Sequence, residues 1–226
     1  AIGNVVVSPS EFMPRLFAEN GRLLDSQGRI TLDTPEALRA LENYRETYSY
    51  SDRTIYDFWK NALEGFADGT AAMTVVFINY ASHILNSQMS RIAGKLGFAP
   101  VPGGKPLLGG GVIGITQSCT CPAAACKFLE WLYADLVAPV FTMLGGLSPC
   151  RSAYSNRDIS EQYPWLSTAR KSFPTAQRRS NSTYYQNFSE LQLETILAAH
   201  VQQAVLGVCS PEEALKQAQE DCNRYF

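Results

Sequence analysis

An α/β protein with a mainly parallel sheet is what this 226-residue sequence predicts. Two observations carry the prediction: short apolar runs rich in β-branched residues, and longer segments of helical periodicity lying between them. The runs are Ala72-Met73-Thr74-Val75-Val76-Phe77, Gly97 to Val101 and Val112 to Thr116. The first is too brief for a helix and nearly unbroken in apolar residues, so it reads as a fully buried strand. Gly69, Pro102-Gly103-Gly104 and Gly109-Gly110-Gly111 punctuate the runs.

The other elements follow in order. Residues 12–30 read as loop and short helix leading into a hairpin, with Asn20-Gly21 and Gln27-Gly28 as turn dipeptides around Arg22 to Ser26, and Ile30 to Leu32 returning. Asp33-Thr34-Pro35-Glu36 places a capping residue before a proline at the first helical position, and Leu38, Leu41, Tyr44 and Tyr48 share a face of the helix that follows. A second helix, about 55–67, carries Phe58, Trp59, Leu63 and Phe66, and Gly69 stops it. A helix over 82–93 separates the first two runs. A long helical stretch from Thr120 carries Ala124, Phe128, Trp131 and Leu132, with Cys126 as a small buried hydrophobe, until Pro139 breaks it; a shorter helix stops at Gly145-Gly146. The tail is two helices: 191–206, ended by Gly207, and one opened by the capping box Ser210-Pro211-Glu212-Glu213, with Leu215, Ala218 and Cys222 inward.

Composition narrows the function. Hydrophobic residues are 46% and charged residues 18%, the balance of a chain that folds around a core. The 19 Lys+Arg and 21 Asp+Glu are scattered apart from Arg170-Lys171 and Arg178-Arg179, so no basic face points to nucleic acid. The most apolar stretches, 71–81 and 128–147, are too short or are interrupted by Glu130, Asp135 and Pro139, so none reads as a bilayer span. Ala1-Ile2-Gly3-Asn4 and the three valines after it have no basic n-region and no cleavage signal, which reads as a mature or truncated start. Six cysteines are present, but Cys119-Thr120-Cys121 is a C-x-C and His83 and His200 stand alone in sequence, so no metal site is expected.

No catalytic or cofactor motif emerges. There is no G-x-S-x-G elbow or catalytic-cysteine signature, and the glycine runs at 103–104 and 109–111 match neither dinucleotide nor P-loop patterns. The Glu212-Glu213 pair is explained by the preference for acids in the first turn of a helix. Aromatics in irregular positions are more informative: Phe77 and Tyr80 just past the first run, and Tyr184-Tyr185 in a Ser/Asn-rich stretch. Such rings stack on apolar sugar faces while amides, guanidinium groups and backbone take the hydroxyls; the alternative is that they fill surface and core.

Six segments in order resemble the family 1 extracellular solute-binding proteins, the sugar-binding components of ABC importers. They are Phe12 to Gly21 through Thr31 to Ala37; Phe66-Ala67-Asp68-Gly69-Thr70-Ala71-Ala72-Met73; Pro100-Val101-Pro102-Gly103-Gly104 with Gly109-Gly110 to Ile115; Ala124 to Leu132; Gly146-Leu147-Ser148-Pro149-Cys150-Arg151; and Ser210 to Leu215. The resemblance implies a type II periplasmic-binding-protein-like α/β fold and a non-catalytic clamp that holds a carbohydrate between two lobes, with no cofactor. It implies mostly the C-terminal lobe, with the N-terminal lobe largely absent: residues 1–108 and 151–226 in the C-terminal lobe, and 109–150 in the other. The ligand contacts it implies are Phe77, Asn79, Tyr80, Gly110, Gly111 and Arg151, with Tyr184 or Tyr185 before the penultimate helix. The family commonly has Trp where this chain has Gly111, which removes a stacking platform. Further implications are ABC permease subunits as partners and a periplasmic or lipid-anchored extracytoplasmic location. The alternative is a ligand-sensing module of a cytoplasmic regulator, which six reduced thiols would suit. The 109–150 excursion leaves apolar side chains uncovered in the chain alone, so self-association is also expected.

Overall fold

The computed structural model describes residues 8–51, 59–111, 113–155, 157–179 and 190–226. The chain divides into two compact units: unit 1 is 1–62, 101–108 and 175–226, and unit 2 is 63–100 and 109–174.

Unit 1 is built on helices whose ends are written in the sequence. Helix α1 (Ser8–Ala18) turns Phe12, Met13, Leu16 and Phe17 inward at helical spacing. It ends at Asn20, which takes the left-handed conformation at φ 64, and at Gly21, where an added Cβ would lie 2.3 Å from Leu16 Cδ1. The expected hairpin follows: Leu24 and Ile30 form an antiparallel bridge around Gly28, while the Asp25 carboxylate accepts the Gln27 and Arg29 N–H groups. Those bonds, Arg29 foremost, hold the Asp25 pKa below its ordinary value. Helix α2 (Pro35–Tyr48) is capped by the Thr34 hydroxyl, which accepts the Ala37 N–H at 3.2 Å, and buries Ala37, Ala40, Leu41 and Tyr44. Near the chain end, α9 (Glu190–Val205) and α10 (Pro211–Tyr225) pack together, with Ser210 Oγ accepting the Glu213 N–H at 3.1 Å as the capping box requires. Leu193, Leu197 and Val201 of α9 and Leu215, Ala218 and Cys222 of α10 join the α1 and α2 residues in one core cluster. Gln219 ties α10 to the hairpin through the Leu32 N–H and the Ile30 carbonyl. His200 reaches across the helix pair, its Nε2 2.9 Å from Asp221 Oδ2.

Helix α3 (Trp59–Ala67) runs across the boundary between the units and ends at Gly69, φ 80. Beyond it, unit 2 contains α4 (Ala81–Leu85), α5 (Pro122–Leu132), α6 (Ala138–Met143), α7 (Arg157–Gln162) and α8 (Pro164–Ser172). Its core cluster is Ala81, Ala138, Ala153, Tyr154, Trp165, Leu166 and Ala169.

Several sequence expectations need correction. The runs 72–77, 97–101 and 112–116, of which Val112 lies outside the described residues, form no ladder; among the described residues the β pairing consists of two isolated bridges, Leu24 with Ile30 and Leu107 with Gln177. An apolar run becomes a strand only when a neighbouring edge takes its N–H and C=O groups. Without that edge the expected buried strand lies open on one side, with Met73 87%, Val75 55% and Phe77 41% exposed. The helix expected over 82–93 stops at Leu85, because the Asn86 side chain accepts the Gln88 N–H and starts a turn. Pro139 does not break the long helix: α5 has already ended at Leu132, and Pro139 lies in the first turn of α6, where its missing N–H costs nothing. Cys126 is exposed rather than a buried hydrophobe.

Candidate ligand-binding site

The turn that follows the 72–77 run is where sequence and structure meet. Phe77 accepts the Tyr80 N–H at 3.0 Å, closing a 3-10 turn over Ile78–Tyr80 that continues into α4. Ile78, Ala81 and Leu85 point into the core of unit 2. Phe77 is 41% exposed on this turn, and Asn79 and Tyr80 are half-buried.

Two glycine positions lie tight against this turn. An added Cβ at Gly109 would lie 3.1 Å from Phe77 Cε1, so the ring sits over the glycine backbone. At Gly145, φ 97, a Cβ would meet Ser82 Oγ at 2.2 Å and lie 3.5 Å from the Asn79 carbonyl oxygen. Gly110 and Gly111 have open space where a side chain would be, leaving their backbone exposed. Arg151 opens a second 3-10 turn, Arg151–Tyr154, whose Ala153 and Tyr154 belong to the same core cluster as Ala81. The Tyr154 hydroxyl donates to the Ser148 carbonyl at 2.8 Å, and Cys150 N–H donates to Ser148 Oγ, so the turn is fixed and the Arg151 side chain is left exposed. Burial pushes the Tyr154 pKa up, so it remains a neutral donor.

Of the predicted contacts, Phe77 lies against Gly109 but not against Gly110 or Gly111, the Asn79 carbonyl lies near Gly145, and the turn that Arg151 opens is rooted in the cluster that holds the Ile78–Tyr80 turn. Tyr184 and Tyr185 lie outside the described residues. Gly145 and Ser82 escaped the sequence reading: Gly145-Gly146 was legible only as a helix stop. Singly, these residues supply a ring face, an amide, open backbone and a guanidinium, the kinds of group that hold a polar ligand with an apolar face. Among the described residues no group of three His, Cys, Asp or Glu is placed to hold a metal ion. No helix among the described residues is long and apolar enough to cross a membrane. A groove of about 500 Å³ in unit 1, lined by Glu42, Arg45, Glu46, Ser210, Pro211 and Glu212, contains none of these residues.

Maltose-bound MalE3 of T. maritima superposes with a TM-score of 0.77 at 23% identity, over 96% of this chain and 57% of that one. A solute-binding protein of an ABC transporter from Thermotoga lettingae, bound with alpha-D-tagatose, gives 0.73 at 25% identity over 99% and 58%. One from Agrobacterium radiobacter K84, in complex with ribitol, gives 0.74 at 22% over 97% and 57%. The architecture is therefore that of the type II periplasmic-binding-protein fold, and the chain spans somewhat more than half the length of these structures. A family model described as bacterial extracellular solute-binding protein matches residues 8–168. The chain belongs to the bacterial extracellular solute-binding proteins.

Proposed function

We propose that this chain is part of the substrate-binding component of an ABC importer, that its ligand is a carbohydrate or polyol, and that it acts by binding without catalysis. The observation that carries the reading is the Phe77 ring over Gly109, with Asn79 and Tyr80 on the same turn, in a chain whose family match runs through all of them. The ring takes the apolar face of a sugar, and the Asn79 amide, the open backbone at Gly110 and Gly111, and Arg151 take hydroxyls. Tyr184 and Tyr185 join this set on the strength of the resemblance. So does the lobe assignment, with 109–150 belonging to the N-terminal lobe and the rest to the C-terminal lobe. The full-length protein works outside the cytoplasm, as its family description states for its members, and delivers ligand to membrane permease subunits.

A thermal-shift panel of mono- and oligosaccharides and polyols on the full-length protein tests this. At least one carbohydrate or polyol raises the melting temperature; stabilisation by another ligand class alone would overturn the assignment. Phe77→Ala weakens the binding of that ligand on the order of tenfold, the equivalent of one stacked ring, and leaves the unliganded melting temperature unchanged.

A further inference from the structure

The chain enters unit 1 from unit 2 at Pro100–Val101 and again at Pro174–Thr175, and leaves it between them at Leu108–Gly109. The outgoing segment 101–108 and the return segment beginning at Thr175 are stapled within unit 1: Gln177 N–H donates to the Pro106 carbonyl at 2.9 Å, and Leu108 N–H donates to the Gln177 carbonyl at 2.8 Å. The outgoing segment is held to the end of α1, because Lys105 Nζ donates to Asn20 Oδ1 and Gly103 lies against Ala18, and Leu107 packs on the unit 1 core. The return segment has a different anchor. Arg179 Nη2 donates to Ser10 Oγ on α1 at 3.0 Å, and its Nε lies 3.0 Å from Glu194 Oε1 on α9. Glu194 is only 5% exposed, the one acid among the buried polar residues of the described chain.

We infer that Glu194 and Arg179 form a protonation-gated tie that holds the return segment against α1 and α9, and so keeps the point of re-entry beside the point of exit. A helix face that needed only packing would carry an apolar residue at 194, since a buried carboxylate costs stability unless a cation is kept beside it. The charges acting on Glu194 are Arg179, which favours ionisation, and Glu190 on its own helix, which opposes it. Helices α1, α2 and α10 pack on α9: α1 contributes the Ser10 hydroxyl through Arg179, α2 supplies none of the charges acting on Glu194, and Asp221 of α10 is occupied by His200. Burial outweighs the arginine and raises the Glu194 pKa. The folded chain therefore takes up this proton before the unfolded chain does as pH falls. Protonation relieves the cost of burying the charge, so this group adds to global stability on acidification, yet it removes the attraction that holds Arg179. Global stability and local attachment thus move in opposite directions, which a purely structural ion pair would not show.

Amide hydrogen exchange on the full chain, corrected for intrinsic rates, reads the tie at Gln177 and Leu108, with Thr31, bonded to the Leu23 carbonyl, as a control in the same unit. From neutral to mildly acidic pH, protection at Gln177 and Leu108 falls on the order of tenfold while Thr31 is unchanged. Glu194→Gln shows the lowered protection already at neutral pH, loses the pH dependence, and melts no lower than the parent; Arg179→Lys keeps the pH dependence. The inference is overturned if Glu194→Gln retains the parent's protection or its pH dependence, or if Thr31 loses protection in parallel.

Discussion

Glycines 110 and 145 both belong to the neighbourhood of the candidate site, and the structure asks opposite things of them. At Gly145 the backbone is left-handed and a methyl would press on Ser82, so Gly145→Ala costs about 1–3 kcal/mol of stability. At Gly110 nothing lies within 4 Å of an added Cβ, so Gly110→Ala folds like the parent and weakens only a ligand that approaches the backbone there. Urea denaturation with a binding assay on both variants separates the roles; equal loss of stability in the two would remove the distinction. Residue-level legibility follows the same division. Phe77 and Tyr80 drew notice as aromatics at the end of an apolar run, and Asn79 only through the family resemblance. The partner of Gly145 is Ser82, far away in sequence, and Glu194 looks like any polar residue of a helix until Arg179 is seen beside it. Contacts of that kind are set by tertiary packing, which local pattern does not encode.

Helices were legible as elements because their signals are local. Thr34 with Pro35, Ser210 with Glu213, and Gly207 each mark an end that the structure keeps. Strands were not, because pairing depends on an edge elsewhere in the chain: 72–77 has the composition of a strand and still has no ladder. Helix α5 shows the same dependence. Ala125, Leu129 and Leu132 form one face, half-buried to buried, while Ala124, Phe128 and Trp131 form a second apolar face at the same spacing, with Phe128 55% and Trp131 57% exposed. A helix apolar on both faces is suited to burial between two layers. The pair Phe128→Ser with Trp131→Ser therefore leaves unfolding stability within about 0.5 kcal/mol and reduces the self-association of the chain at high concentration. Sedimentation velocity with urea denaturation checks both halves; a large loss of stability would show that these rings are already packed within the chain.

The two compact units differ in what holds them. Among the described residues, unit 1 has a cluster of eighteen buried residues drawn from α1, the hairpin, α2, α9 and α10, rich in Leu and Phe. The unit 2 cluster has seven, four of them alanine. Since burial of large apolar side chains supplies about 1.5–3 kcal/mol each and alanine far less, unit 2 has the smaller reserve against unfolding. Its exposed apolar residues, Met73, Val75, Ile113, Phe128, Trp131, Leu136 and Leu144 among them, contribute little to that reserve. The chain should therefore unfold in two steps, unit 2 first. Trp165, fully buried in the unit 2 cluster, reports that unit through its emission, while far-UV ellipticity is weighted by the long helices α2, α9 and α10 of unit 1. In a urea titration the emission shift of Trp165, isolated by replacing Trp59 and Trp131 with Phe, precedes the loss of ellipticity. Coincident transitions would mean that the units fold as one, and a ligand bound at the Phe77 turn of unit 2 brings the two curves together by raising the earlier midpoint.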